Sequence, residues 1–469
     1  MNFVHQFHPS VLREYDIRGI FGETLHPEDA FAIGRCFGSI VLRRGGFSVA
    51  VGFDGRVSSP TLEPALVAGL EASGITVLRI GCGPTPMLYY TSSVEAVDGA
   101  VMVTGSHNPR DHNGFKMILG AKPYYGESIC VLGRMAASGD VVVEESGAER
   151  SLAIREDYVS RLVEGWDGGN RRLSVVWDNG NGAAGEVLAM LLDRLPGEHV
   201  LLNGAIDGRF PTHHPDPTVP KNLEQLIGEV RARGADVGIA FDGDADRIGV
   251  VDDRGAVLFG DQLMVLLSRD VLARVPGAPI IADVKASQVL FDEIARAGGQ
   301  PLMWRTGHSL IKAKMAEIGA PLAGEMSGHI FFAERWYGFD DALYAAVRFL
   351  SVLARGTQPL SVLRRALPQV VNTPELRFPC CEERKFAVVN EVAERLRARG
   401  AHLNEIDGVR VTTPDGWWLL RASNTQAVLV ARVESKDQAG LGRLKAALIA
   451  ELIASGVAPP NFAADSSEH

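Results

Sequence analysis

The sequence has little cysteine, no excess of basic charge and no long apolar run, and each shortage narrows what it can be. Five cysteines (Cys36, Cys82, Cys130, Cys380 and Cys381) are spread over 469 residues. Their spacing fits no metal-ligand pattern, and an odd number of thiols suits a reducing compartment. Basic residues are outnumbered: 47 Lys and Arg against 57 Asp and Glu leave a net charge of −10. That balance argues against nucleic acid as the main partner, so an anionic substrate would have to meet locally gathered cations. No apolar stretch approaches a membrane span, and the opening MNFVHQFHPS lacks the basic-then-apolar form of an export signal. A cytoplasmic protein without a membrane partner is the expectation; nothing specifies an oligomeric state. Composition is that of a globular chain, and the length asks for three or four domains.

What is present is a set of polar loops between apolar runs. Val103-Thr104-Gly105-Ser106-His107-Asn108-Pro109 follows a strand-like run from Ala100, with Asn113-Gly114-Phe115-Lys116 just beyond. Turn formers keep Ser106 off any helix, at the tip of a sheet. A hydroxyl beside an imidazole and near an amine can be a nucleophile or a phosphate carrier. Upstream, Tyr15 and Arg18 lie on a segment that can face an anion.

A strand, an aspartate, a short loop and a helix recur at Asp54, Asp178 and Asp283, which hints at three related α/β units. Phe210 to Pro220 carries four prolines and two histidines and reads as an extended surface loop; adjacent His213 and His214 would point apart. Asp242-Gly243-Asp244-Ala245-Asp246-Arg247 lies between two apolar strands. Three carboxylates at alternate positions in a loosened loop can converge on one hard cation. Arg247 occupies the place where a helix–loop–helix calcium site needs glycine, which excludes that motif.

Further on, Trp304 to Ser309 leads into a helix and offers free N–H groups near His308. Gly324-Glu325-Met326-Ser327-Gly328-His329 is too polar for core, and Glu325 and Ser327 suit hydrogen bonding to neighbouring sugar hydroxyls. A smaller unit begins near Pro368. In it, Arg421-Ala422-Ser423-Asn424-Thr425-Gln426 between two strands makes a phosphate cradle. The tail from Ala458 is expected to be disordered.

Together these loops supply a carrier serine, a metal loop, a sugar-hydroxyl loop and a phosphate cradle. Phosphoryl transfer needs mainly positioning and charge neutralisation. A phosphoserine with three aspartates gathers about five negative charges, so Arg247, Lys116 and Arg18 should matter as nearby cations. A serine hydrolase would need Gly-x-Ser-x-Gly around Ser106, and position 108 is Asn. A sugar-phosphate- and Mg²⁺-binding protein without turnover, or a sugar phosphatase, are the alternatives.

In the order EYDIRG, TGSHNP, NGFK, FDGDADR, RTGHSLIK, GEMSGH and RASNT, the chain resembles the phosphomannomutase/phosphoglucomutase branch of the α-D-phosphohexomutase family over nearly its whole length. The resemblance implies three similar mixed α/β domains and a smaller C-terminal α+β domain around a central cleft. The corresponding divisions are residues 1–151 (phosphoserine), 152–254 (metal), 255–367 (sugar) and 368–458 (phosphate), with 459–469 as the tail. It implies that Ser106 is the phosphoserine and that Mg²⁺ is held by Asp242, Asp244, Asp246 and the group on Ser106. Catalytic work would fall to His107, Lys116, Arg18 and Arg247. Tyr15, Lys285, Thr306, Gly307, His308, Glu325, Ser327 and His329 would line the substrate. Arg421, Ser423, Asn424 and Thr425 would hold the phosphate that is not reacting. The reaction implied interconverts hexose 1-phosphate and hexose 6-phosphate, of mannose, glucose or both. It runs through a 1,6-bisphosphate that turns over in the cleft, and glucose or mannose 1,6-bisphosphate is the implied activator. One departure is Phe53 in Gly52-Phe53-Asp54-Gly55-Arg56, where the family usually has Arg; it implies a weaker scaffold contact in the first domain. Met326 resembles the dual-specificity branch.

Overall fold

Strand Ser48–Phe53 reads SVAVGF, with its four middle residues buried. A run with no polar face can only sit inside a sheet covered on both sides. In the computed structural model, which describes residues 3–142, 147–424, 426–460 and 462, it lies at the centre of a seven-stranded mixed sheet. Thr425 and, in the tail, residues 461 and 463–469 fall outside the described residues. Ser48–Phe53 is parallel to Thr76–Cys82 on one side and to Gly99–Val103 on the other. Gly99–Val103 then turns back antiparallel into His112–Leu119, with Val103 opposite Phe115. Phe53 packs half-buried against the core of this unit.

The same arrangement recurs twice. In a five-stranded sheet, Ser174–Asp178 runs parallel to Val237–Phe241, which turns back antiparallel into Ile248–Asp252. In a four-stranded sheet, Pro279–Asp283 runs parallel to Leu322–Gly324, which turns back into Ile330–Phe332. Each unit thus ends its central strand in the repeated aspartate, beside a hairpin whose tip is the chemically loaded loop. The fourth unit is antiparallel: strands centred on Gly416–Ala422 and Val428–Ser435 form a six-stranded sheet with helices Glu382–Ala398 and Gln438–Ala454. The fold is therefore three α/β units and one smaller α+β unit, as the resemblance implied.

Beside the clusters that each of the first three units keeps to itself, one core runs through all three. Leu88, Tyr158, Trp177, Phe241, Met264 and Leu343 belong to one continuous buried apolar cluster. A shared core fixes the units relative to one another far more firmly than surface contacts would. Among the described residues, no helix is long and apolar enough to cross a membrane.

Candidate active site

The three hairpin tips converge. Gly243 lies so close to the serine loop that a Cβ there would come within 2.5 Å of the Ser106 carbonyl oxygen. Arg247 and His329 form a backbone bridge between the second and third tips. Ser106 (φ 48°) and Ala245 (φ 56°) both sit in the left-handed region without being glycine. Such strain persists only where the surroundings over-determine the backbone, and here it marks two tips that touch.

The serine loop is braced from behind. Asp54 accepts hydrogen bonds from the Thr104 hydroxyl (2.8 Å) and the Gly105 amide (2.9 Å). Arg56, almost wholly buried, donates to the carbonyls of Ser106 (2.7 Å), Asn108 (2.6 Å), Pro109 (2.5 Å) and His112 (2.9 Å). Arg18 donates to the Gly105 carbonyl at 2.6 Å and pairs with Asp16. His214 reaches in from the proline-rich loop, its Nε2 2.6 Å from the His107 carbonyl, while His213 lies 2.9 Å from Asp178. The expectation of a plain surface loop at Phe210–Pro220 is thereby corrected: both imidazoles are partly buried, because buried carboxylate and carbonyl oxygens need donors.

Ser106 Oγ lies 2.9 Å from Asp242 Oδ2 and 3.3 Å from His107 Nδ1. Asp242, Asp244 and Asp246 are fully buried, with one oxygen of each within 4.8 Å of the others. Lys116 Nζ joins Asp244 at 2.7 Å and also contacts Asp246, and Thr85 donates to Asp244 at 2.5 Å. Burial and the neighbouring Asp246 and Asp244 push the Asp242 carboxyl well up. Asp244 is held down: burial opposes this, but Lys116 and two hydroxyl donors outweigh it. Burial and then the cations Arg247 and Arg18 keep the His107 imidazole neutral. One ammonium facing three carboxylates leaves the cluster short of positive charge. Asp244 Oδ1 and Asp246 Oδ1 are buried with no hydrogen-bond partner. Three hard oxygen donors with two lone-pair-bearing atoms unused suit a small divalent cation.

The third tip and its neighbours form the opposite wall. Glu325 accepts from the Gly307 amide at 2.6 Å and from the Ser327 hydroxyl at 3.1 Å. Thr306 Oγ1 is 3.3 Å from Asp283. Lys285 pairs with Glu375 of the fourth unit at 2.9 Å; burial disfavours its charge, yet Glu375 and Asp283 hold the ammonium above its usual range. His308 and His329 stack with ring centroids 5.7 Å apart. Arg247 Nε donates to His329 Nε2 at 2.9 Å.

The cradle faces this wall. Arg421 Nε and Nη2 pair with Asp407 at 3.0 and 3.2 Å, and Asp407 also accepts from the Thr306 amide at 3.0 Å. Asn424 donates to the Tyr15 hydroxyl at 2.5 Å, and Tyr15 donates to the Thr306 carbonyl at 3.0 Å. One phenol thus joins the first, third and fourth units; its burial pushes it up to about 12. Ser423 accepts from the Gln426 amide. Of the expected residues, only Thr425 lies outside the described residues.

Sequence reasoning assigned no role to Arg56, Asp340 or Asp407. Asp54-Gly55-Arg56 was visible as one of the repeated strand–aspartate–loop segments. Asp340, the first of two consecutive acids after Gly338-Phe339, and Asp407, before Gly408, carry no local signal beyond a turn.

Comparison with known proteins identifies the chain's relatives. The chain fits the descriptions "Phosphoglucomutase/phosphomannomutase, alpha/beta/alpha domain" I at residues 10–125, II at 156–255 and III at 259–371, and the "C-terminal domain" at 375–451. It is 46% identical over 436 residues to the phosphomannomutase/phosphoglucomutase of Pseudomonas putida, covering 93% of this chain and 94% of that one. It is 43% identical over 438 residues to the phosphoglucomutase of Neisseria gonorrhoeae, covering 93% and 95%. A crystal structure of a phosphoglucomutase/phosphomannomutase family protein from Burkholderia thailandensis superimposes with a TM-score of 0.92 at 43% identity, covering 97% of this chain and all of that one.

Proposed function

Since this chain belongs to the phosphoglucomutase/phosphomannomutase family, we propose that it interconverts hexose 1-phosphates and hexose 6-phosphates, of mannose, glucose or both, with Ser106 as the phosphoryl carrier. The observation that carries this reading is the meeting of Ser106 with the three-aspartate loop, Ser106 Oγ lying 2.9 Å from Asp242. A hexose 1,6-bisphosphate would charge the serine in the first turnover.

The residues fit a divalent cation, Mg²⁺ by preference, held by Asp242, Asp244, Asp246 and an oxygen on Ser106. When bound it would act as a Lewis acid on the phosphoryl oxygens. Everything else falls to the chain. In the forward step the phosphorus–Oγ bond of phospho-Ser106 breaks while a bond forms to a free sugar hydroxyl, whose proton must leave. The leaving Ser106 oxygen takes up a proton as the sugar hydroxyl gives one up; Lys116 is committed to two carboxylates, so His107, 3.3 Å from Oγ, is the group that would relay it on the serine side. Lys116, Arg18 and Arg247 offset the charge gathered at the phosphoryl group. After the bisphosphate turns over, the other phosphate returns to Ser106 and the proton goes back to the new hydroxyl.

Glu325 and Ser327 would keep hold of the sugar hydroxyls in both orientations. Lys285, Thr306, Gly307, His308, His329 and Tyr15 would complete that wall. Arg421, Ser423, Asn424 and Thr425 would grip the distal phosphate, which must replace or share the carboxylate of Asp407. The five cysteines are free, which supports a reducing, cytoplasmic setting.

Phosphorus NMR tests the reading. Protein with Mg²⁺ and a trace of glucose 1,6-bisphosphate should convert glucose 1-phosphate, mannose 1-phosphate or both to the 6-phosphate. Free phosphate as the main product would mean a phosphatase, and unchanged spectra a binding protein. Ser106→Ala should lower turnover by about three orders of magnitude or more, as loss of a covalent nucleophile does, while sugar-phosphate binding stays measurable. Near-normal turnover in that variant would remove the carrier role.

A further inference from the structure

Five consecutive carbonyls of the serine loop, at positions 105–109, each accept from a side-chain donor. Arg18 takes the first, and Arg56 takes those of Ser106, Asn108 and Pro109. Both arginines belong to the first unit, and both leave out the His107 carbonyl in the middle of the run. Its donor, His214 Nε2 at 2.6 Å, comes from the second unit. A carbonyl can only accept, so the imidazole is the donor. His107 is the residue whose own ring approaches Ser106 Oγ, at 3.3 Å. The peptide that aims that ring is therefore tied down from another unit.

The segment that delivers His214 is held along its length. After strand Glu198–Leu202 it crosses to the first unit, where a Cβ on Gly208 would come 2.4 Å from the Gly55 carbonyl oxygen and 2.5 Å from Arg56 Cα. The Phe210 ring then covers the Arg56 guanidinium, with 5.3 Å from ring centre to Cζ. The negative face of the ring attracts the cation beneath it. Phe210 does this at φ 48°, a left-handed backbone that a bulky residue seldom adopts and keeps only where its surroundings impose it. Past it, His213 is anchored at 2.9 Å to Asp178, the end of the second unit's central strand. Pro215 lies against the three-aspartate loop: a Cβ on Gly243 would come 3.5 Å from its Cγ, and one on Gly180 3.1 Å from its Cβ. Pro211, Pro215 and Pro217 restrict the backbone between these anchors. The segment thus touches, in turn, the arginine that braces the serine loop, the serine loop itself and the aspartate loop.

We propose that Phe210 and His214 are positioning residues for the carrier serine: a strap from the second unit closes the one carbonyl that the first unit leaves open and sets the serine loop against the aspartate loop. The catalytic consequence rests on the mutase reading; the restraint on the loop does not. Without the strap the His107 peptide is free to rotate while the bonds from Arg18 and Arg56 remain. The wall and cradle proposed to hold the sugar phosphate belong to the third and fourth units, so the loss falls on turnover rather than on substrate binding.

Full-length protein tests this with two readouts. In hydrogen exchange followed by mass spectrometry, His214→Ala should make the amides of residues 104–108 exchange about tenfold faster, as the loss of one ordinary hydrogen bond allows, with strand Gly99–Val103 unchanged. In steady-state turnover of a hexose 1-phosphate the same variant should lose about a hundredfold in kcat, the cost of a misplacement on the order of 1 Å, with KM changed by less than about threefold. His214→Gln, whose amide can donate to the same carbonyl, should recover most of both effects. Phe210→Leu keeps an apolar cover without an aromatic face and should move both in the same direction by about threefold. Unchanged exchange of the serine loop in either His214→Ala or Phe210→Leu overturns the proposal, whatever the activity. Exchange that rises throughout the first two units, or a His214→Gln no better than His214→Ala, overturns it too and makes the segment a structural link only. A wild type silent toward every hexose phosphate would fail the mutase reading, and loop exchange in the variants would still decide the strap.

Discussion

Ser106 holds a positive φ because Arg56 collects four carbonyls of its loop, Ser106 among them, and leaves that backbone no alternative path. The brace needs Gly105. A Cβ at position 105 would lie 2.2 Å from Arg56 Nε, and the guanidinium has no room to retreat. Gly105→Ala should therefore cost about 1–3 kcal/mol, as overpacking does, and displace the carrier hydroxyl. Denaturant unfolding and steady-state turnover measure the two effects. A variant as stable and active as wild type would mean that the loop holds its shape without Arg56. The Asp54-Gly55-Arg56 segment was legible as a strand end followed by a turn. Its partners lie some fifty residues on, and nothing in the local chain announces them.

At the scale of elements, the repeated hairpin is what delivers the chemistry. Three antiparallel returns, Gly99–Val103 into His112–Leu119, Val237–Phe241 into Ile248–Asp252 and Leu322–Gly324 into Ile330–Phe332, put a loop at the same end of each unit. The proline-rich segment between two of them acts as a clamp through His213 and His214. Burial lowers the affinity of His213 for a proton, but Asp178 at 2.9 Å outweighs it, so the folded value is raised above the usual 6.5. A raised value means that the ion pair stabilises fully below the unfolded value and loses its contribution as pH climbs through the folded one. The difference in unfolding free energy between wild type and His213→Gln should accordingly be largest near about pH 6 and shrink toward about pH 9. Urea titrations across that range measure it, and a difference that grows with pH would contradict a charged His213.

Over the whole molecule, a shared core fixes three units, and the fourth is joined to the third by a small apolar cluster, Val284 against Trp417 and Leu419, and by polar contacts. Arg410 donates to the carbonyls of Val284 (2.6 Å) and Ala286 (2.8 Å), Lys285 pairs with Glu375, and Asp407 meets the Thr306 amide. Tyr15 alone among these reaches from the first unit to both the third and fourth. Tyr15→Phe removes both hydroxyl bonds and should raise KM about tenfold, the equivalent of one to two ordinary hydrogen bonds, with kcat within about threefold. An unchanged KM would mean that the fourth unit closes without it. The chain alone determined the class of fold and the family, because seven short motifs stand along it in the family's order, and the loops proposed for the site were legible as polar stretches whose residue types suit their proposed roles. A serine in a turn, aspartates at alternate positions, a hydroxyl-binding loop and a cationic cradle are all local features. Only the tertiary structure decided which carboxylate meets which cation. Asp340 beside His329, Asp407 beside Arg421 and His214 beside His107 are pairings between distant segments, created by sheet register and a common core, and local sequence has no means of encoding a neighbour that folding has yet to bring near.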